Sequence, residues 1–125
     1  MTGSTRERGR EAEDLAAAWL EARGYVVLAR NHATRRGEVD LVCRDGAVLC
    51  FVEVRSRAGE AHGAPEETVD RRKALRVVAA ATDWARRHGA LDDDIRFDVL
   101  AMSGGAGGWT FRLHQGAFDA SGDSP

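Results

Sequence analysis

Apolar positions along the chain follow two periods, and the switches between them mark the elements. Leu15, Trp19 and Leu20, with Ala12, Ala16 and Ala22 around them, recur at helical spacing over residues 9–23, and Gly24 is placed to end that helix. Residues 25–29 form a short apolar run, which predicts a strand leading into a polar, Arg-rich loop through Asn31. Residues 39–43 and 48–54 are the clearest strands. Asp45 and Gly46 lie between them and signal a hairpin, because the central positions of a tight turn must tolerate positive φ. Residues 57–65 carry Gly59, Gly63 and Pro65 and read as a mobile loop. Over residues 66–88, Val69, Lys73, Arg76, Val77, Ala80, Ala81 and Trp84 give the longest helix a charged and an apolar side, ended by Gly89. Residues 95–102 are another strand and 103–108 a glycine-rich turn. Trp109, Phe111 and Leu113 alternate on one face of a last strand, and residues 120–125 are expected to fray.

The predicted order is helix, three strands, helix, two strands. Near-continuous apolar strands between helices of this length imply an α/β fold, a central mixed sheet of about five strands with helices on both faces. The 125 residues suffice for one domain with its own core, spanning 1–125 with an ordered part at about 9–119.

Composition narrows the classes. The longest apolar stretches, 47–52 and 77–81, fall far short of the roughly 20 residues that span a bilayer. The first eleven residues hold no apolar core of the kind a signal peptide needs, so no membrane association is expected and the cytoplasm is the expected location. Cys43 and Cys50 lie in apolar runs without CxxC spacing and read as small buried hydrophobes, not as a disulfide. His32, His62, His88 and His114 show no ligand spacing. The net charge of −2 does not advertise nucleic-acid binding, yet the basic residues are uneven. Arg30, Arg35 and Arg36 share a stretch without acids, Arg55 and Arg57 follow, and Arg71, Arg72, Lys73 and Arg76 crowd one helix start. Such groups suit either a binding surface or a solvated helix face.

One constellation carries chemistry. With Asp45 and Gly46 as the turn, Arg44 pairs with Ala47, Val42 with Leu49, Asp40 with Phe51 and Glu38 with Glu53. Side chains alternate along a strand, so Glu38, Asp40, Glu53 and Arg55 emerge on one face. Asp40 and Glu53 become diagonal neighbours with backbones about 7–8 Å apart, near enough to share a cation. Glu38 opposite Glu53 is a like-charge pair that needs compensation. Mg²⁺ or Mn²⁺ would supply it, as hard ions that take oxygen ligands. A network of the nearby arginines would supply it equally well.

Gly37-Glu38-Val39-Asp40-Leu41-Val42 and Phe51-Val52-Glu53-Val54-Arg55-Ser56-Arg57 resemble the signature of the YraN-like family of uncharacterised bacterial proteins. Further matches are Gly9, Glu13, Ala16, Leu20, Gly24, Tyr25 and Asn31, then Gly63, Lys73, Arg96-Phe97-Asp98-Val99 and Ala117-Phe118. The family is similar to the restriction-endonuclease-like fold and to the archaeal Holliday-junction resolvases within it. That resemblance implies a metal-dependent nuclease in which Asp40 and Glu53 ligate the ion, the Val54 carbonyl is a third oxygen, and Glu13 matches a further acid from the first helix. It also implies DNA as partner and a homodimer. The chain departs from the pattern at position 12, where Ala replaces Gly, and at Arg55, where nucleases of this fold have Lys. Arginine keeps its charge at ordinary pH, so it cannot accept a proton, but it can hold a phosphate bidentately.

Three functions follow as expectations. The first is a nucleic-acid-binding protein that cleaves phosphodiester bonds of DNA, with Asp40, Glu53, Arg55 and Glu13 at the centre and Arg35, Arg36, Arg55, Arg57 and Lys73 as contacts to the strand. For Lys73, solvated helix surface is the competing reading. The second is a binding module that kept the fold and lost catalysis through Arg55. The third is an interaction protein with no nucleic-acid role, suggested by the net negative charge and by Asp92, Asp93 and Asp94 in one loop.

Overall fold

The computed structural model describes residues 5–58, 69–105 and 107–124. Among the described residues seven elements follow one another: α1 (Thr5–Ala22), β1 (Val26–Thr34), β2 (Gly37–Asp45), β3 (Val48–Ala58), α2 (Arg71–Arg87), β4 (Ile95–Gly105) and β5 (Gly108–Phe118). The strands form one sheet in the order β1-β2-β3-β4-β5. Hairpin neighbours pair antiparallel. β3 and β4 pair parallel, because α2 crosses between them and returns the chain to the same end of the sheet. The expected mixed five-stranded α/β sheet is thus the one observed.

Among the described residues each face of the sheet carries one helix. Ala12, Ala16, Ala17 and Leu20 of α1 pack on Leu41, Cys43, Cys50, Val52, Leu100 and Met102. Ala74, Val77, Ala80, Ala81, Trp84 and Ala85 of α2 pack on Val42, Leu49, Phe51, Phe97 and Val99. Alanine dominates both helix stripes, so the helices can lie close to the strands. Cys43 and Cys50 are opposite one another and free, and burial pushes both thiols up to about 12. Among the described residues no helix is long and apolar enough to cross a membrane.

Several elements differ from their sequence expectation. The Arg-rich stretch after Ala29 is not a loop but the second half of β1, an edge strand, where charged side chains reach solvent without cost to the sheet. Asn31 takes a positive φ of 52° within that strand without changing its register, and the irregularity lies between Val27 and Ala29. α2 begins at Arg71, with the Asp70 side chain accepting from the Lys73 N–H at 2.8 Å, and not at position 66. Positions 59–68, including Gly59, Gly63 and Pro65 of the expected loop, lie outside the described residues. β5 continues past Leu113 to Phe118 through an irregularity at Gly116, φ 64°. The end of the chain is not frayed throughout: Gly122 is buried against Leu75 and Arg71, and Asp123 pairs with Arg71 at 3.4 Å.

The β2–β3 hairpin corrects the expected register. Its two loop residues are Gly46 and Ala47, and Asp45 pairs with Val48, Cys43 with Cys50 and Leu41 with Val52. Positive φ falls on Gly46 (61°) at the first loop position, so Asp45 stays in the strand. Partners move by two positions relative to the expectation. An even shift alone preserves the faces, but alternation breaks within β2: Val39 and Val42, of opposite parity, both pack with the α2 cluster while Leu41 packs on the α1 side. Glu38, between Gly37 and Val39, therefore does not share the face of Glu53, contrary to the expectation.

Candidate metal and phosphate site

Asp40 sits where the sheet opens. Pairing of β2 with β3 runs from Asp45↔Val48 to Leu41↔Val52 and stops there, while β3 stays paired to β4 as far as Ala58↔Gly104. The next free N–H on that edge of β3, that of Val54, donates to Asp40 Oδ2 at 2.8 Å. One carboxylate thus replaces the backbone ladder and lies in the gap between the strands. In an extended strand the N–H and C=O of one residue leave the same edge, so the Val54 carbonyl faces that gap too. Continuing the observed register brings Asp40 level with Glu53, where the expectation had them diagonal.

The gap opens into a cavity of about 370 Å³ lined by Asp40, Glu53, Val54, Arg55, Ser56, Arg57 and Lys73. Glu53 belongs to the α2 side of β3, following Leu49 and Phe51, and is only 3% exposed. No protein donor among the described residues reaches its Oε1. Burial first, and then the neighbouring carboxylate of Asp40, push the Glu53 carboxyl up to about 9, against the pull of Lys73.

Lys73 reaches the site from the first turn of α2, with Nζ 3.0 Å from Glu53 Oε2. Its pKa is raised: burial opposes the charge, but Glu53, Asp40 and Glu38 together outweigh it. A close approach of backbones makes this contact possible. A Cβ on Gly37 would stand 1.9 Å from the carbonyl oxygen of Arg76, so only glycine lets α2 lie against the start of β2. The glycine of the Gly37–Asp40 motif therefore seats the helix that carries the lysine. Lys73 is not solvated helix surface.

Glu13 approaches from the other face. Its carboxyl is raised by burial and then by the Asp40 charge, Asn31 hydrogen-bonds to it, and its Oε1 is buried without a partner. It does not line the cavity. Among the described residues no three His, Cys, Asp or Glu side chains converge on one point, so the acidic pair Asp40 and Glu53 is the nucleus of the site. A buried carboxylate oxygen without a donor, a second carboxylate beside it and a carbonyl on the same edge suit one hard divalent ion with waters completing its shell.

The remaining expected contacts divide. Arg55 and Arg57 line the cavity with Lys73. Arg35 and Arg36 do not; they form the β1–β2 turn and border a separate groove. Asp98 serves the core: fully buried, it accepts from Arg96 at 2.8 and 3.0 Å, from the Gly116 N–H at 3.0 Å and from the Tyr25 hydroxyl at 3.2 Å. Sequence reasoning missed the Lys73–Glu53 pair. The available signal was that this chain of 17 arginines keeps one lysine.

Comparison with known proteins gives a consistent result. The family described as "Uncharacterised protein family UPF0102" matches residues 12–102, a span that contains both the Asp40 and the Glu53 motifs. A UPF0102 protein of Anaeromyxobacter sp. (strain Fw109-5) is 61% identical over 120 residues, 96% of this chain and 90% of the relative. One of Anaeromyxobacter dehalogenans is 62% identical over 91% of this chain and 85% of its own length. One of Halorhodospira halophila is 50% identical over 79% of each.

Proposed function

The chain belongs to the uncharacterised protein family UPF0102, and from that premise we propose that it binds nucleic acid and cleaves phosphodiester bonds of DNA with Mg²⁺ or Mn²⁺. The observation that carries this reading is Glu53, a buried carboxylate with one oxygen lacking a donor, beside Asp40 in an open cavity that also holds three basic side chains.

Asp40, Glu53 and the Val54 carbonyl would hold the ion. Bound there, it supplies Lewis-acid polarisation of a phosphodiester oxygen and a coordinated water of lowered pKa. Glu53 gives up the proton that it otherwise keeps to about pH 9. Lys73 stays protonated, since its pKa lies above the ordinary lysine value, and so acts as a fixed cation rather than a base. Arg55 likewise cannot accept a proton and serves to hold phosphate. Together they stabilise charge that develops on the phosphate. The reading includes a cytoplasmic place of action and a homodimer.

A second reading is favoured by the 3.0 Å Lys73–Glu53 contact. The ammonium already compensates the buried carboxylate, and with Arg55 in the strand the chain then acts as a nucleic-acid-binding module without turnover. Calorimetric titration with Mn²⁺, using Asp40→Asn as control, separates the two, together with cleavage of branched and single-stranded DNA by wild type, Asp40→Asn and Glu53→Gln. The nuclease reading expects Mn²⁺ binding and cleavage in the wild type only. Equal cleavage by all three proteins would refute it, and DNA binding without Mn²⁺ uptake would select the second reading.

A further inference from the structure

The largest of the described grooves lies outside the acidic site, between the β1–β2 turn and the second half of α2. It has a volume of about 860 Å³ and is bordered by Arg35 and Arg36 on one side and by Arg86 and Arg87 on the other. All four are exposed. Small side chains, among them Ala33 and Ala79, also line it. Four guanidinium groups against one carboxylate, that of Asp83, make this groove strongly positive on a chain whose net charge is −2.

Asp83 gives the groove its order. It accepts from Arg86 Nη2 at 2.8 Å and from Arg87 Nε at 2.9 Å, and its Oδ2 lies 2.8 Å from His32 Nε2. Its side chain is 14% exposed, while those of the two arginines are 64% and 67% exposed. One anchored carboxylate thus holds two outward-facing forks on the helix side. Each arginine spends one nitrogen on Asp83 and keeps its other nitrogens for an external anion.

We propose that this groove is a second nucleic-acid contact, which takes the sugar-phosphate backbone of the bound strand away from the acidic site. The distance along α2 supports it. Lys73 at the acidic site and Asp83 in the groove are ten residues apart on one helix, about 15 Å at 1.5 Å per residue. That span corresponds to a few nucleotides of backbone, so one strand reaches from one site to the other. Guanidinium forks suit phosphate oxygens. The groove also lacks the aromatic or aliphatic anchors that centre a protein interface, so an acidic protein is the weaker fit. The proposal rests on the nucleic-acid reading of the acidic site but not on its metal or on turnover.

Fluorescence anisotropy of a labelled DNA duplex over a salt series tests it. The proteins are the wild type, the double variant Arg86→Gln/Arg87→Gln and the double variant Arg35→Gln/Arg36→Gln, with thermal melts confirming that each is folded. Each phosphate contact contributes a slope of about 0.9 in log K against log salt. Either double variant is expected to lose about tenfold in affinity at low salt and to reduce the slope by one to two contacts, with Mn²⁺ uptake unchanged. Wild-type affinity and slope in both variants, with DNA still bound, would overturn the groove and leave the acidic site standing. Failure of the wild type to bind DNA, with a polyglutamate peptide bound through the four arginines instead, would overturn both.

Discussion

The ammonium of Lys73 lies 3.0 Å from a carboxylate oxygen of Glu53, across the junction of α2 and β3. The two residues are 20 positions apart, on elements of different type, and both border the cavity in which Asp40 replaces the backbone ladder. Burial of Glu53 at 3% exposure gives this contact its weight, because an ionised carboxylate there has little water to solvate it.

Removing the ammonium should therefore be costly. Above pH 9, where Glu53 is ionised and Lys73 still charged, Lys73→Met leaves Glu53 buried without its cation. Because Lys73 is partly exposed the expected loss there is about 1–3 kcal/mol, below the full value for a buried pair, whereas at pH 7 it should be smaller. Urea unfolding measures it. The double variant Lys73→Met/Glu53→Gln should recover most of the loss, and an additive result would mean that the two side chains do not interact.

The stability of the metal-free protein should depend on pH through Glu53. Its folded-state pKa, about 9, lies above the ordinary value of 4.5, so its contribution is fully present below about pH 4.5 and is lost as pH rises to 9. Glu53→Gln should accordingly raise the melting temperature at pH 8.5 by several degrees and change it little at pH 4.5. Because an ion at this site displaces the same proton, Mn²⁺ affinity should climb with pH toward 9 in the wild type. Melting curves at the two pH values and calorimetry in buffers of different ionisation enthalpy check both statements.

Gly37→Ala should disturb the site without touching a charged group. The new methyl would meet the Arg76 carbonyl oxygen at 1.9 Å, which backbone can relieve only by moving α2. A loss of about 2–3 kcal/mol is expected, the upper part of the range for overpacking. Because α2 carries Lys73, Mn²⁺ affinity should change as well. Unfolding and titration of the same preparation test this, and a variant of wild-type stability would show that the helix is not seated by this glycine.

Asp98→Ala should act on stability alone. The carboxylate is fully buried and ties Arg96, the Tyr25 hydroxyl and the Gly116 N–H together, so its removal strands three donors. The expected loss is about 3–5 kcal/mol. Mn²⁺ affinity in the fraction that stays folded should match the wild type, as read by calorimetry at low temperature.

Much of this was legible in the residues themselves. Helical spacing located α1 and the body of α2, near-continuous apolar runs located β2, β3 and β4, and alternation located the first half of β5. Alternation failed where charge or glycine interrupted it, as in the Arg-rich half of β1 and around Gly116 of β5. Those segments are strands because a neighbouring strand pairs with them, which no local pattern records. The turn at Gly46 was misplaced by one residue, since Asp-Gly satisfies a two-residue loop in either phase until the flanking pairs decide.

What the sequence determined by itself is that Asp40 and Glu53 lie on adjoining strands of one hairpin. A period of two did not fix the face of Asp40, because Val39 and Val42, of opposite parity, both pack with the α2 cluster. Tertiary structure decided what surrounds them. Asp40 enters the gap because β2 parts from β3 while β4 holds β3 in place. Lys73 meets Glu53 because α2 can approach at Gly37, and Arg35 and Arg36 turn away to a groove of their own. Strand periodicity is a property of the local backbone, whereas these contacts depend on where a crossover helix lands after leaving the sheet. That landing is set by the packing of its alanine face, and only the folded chain contains it.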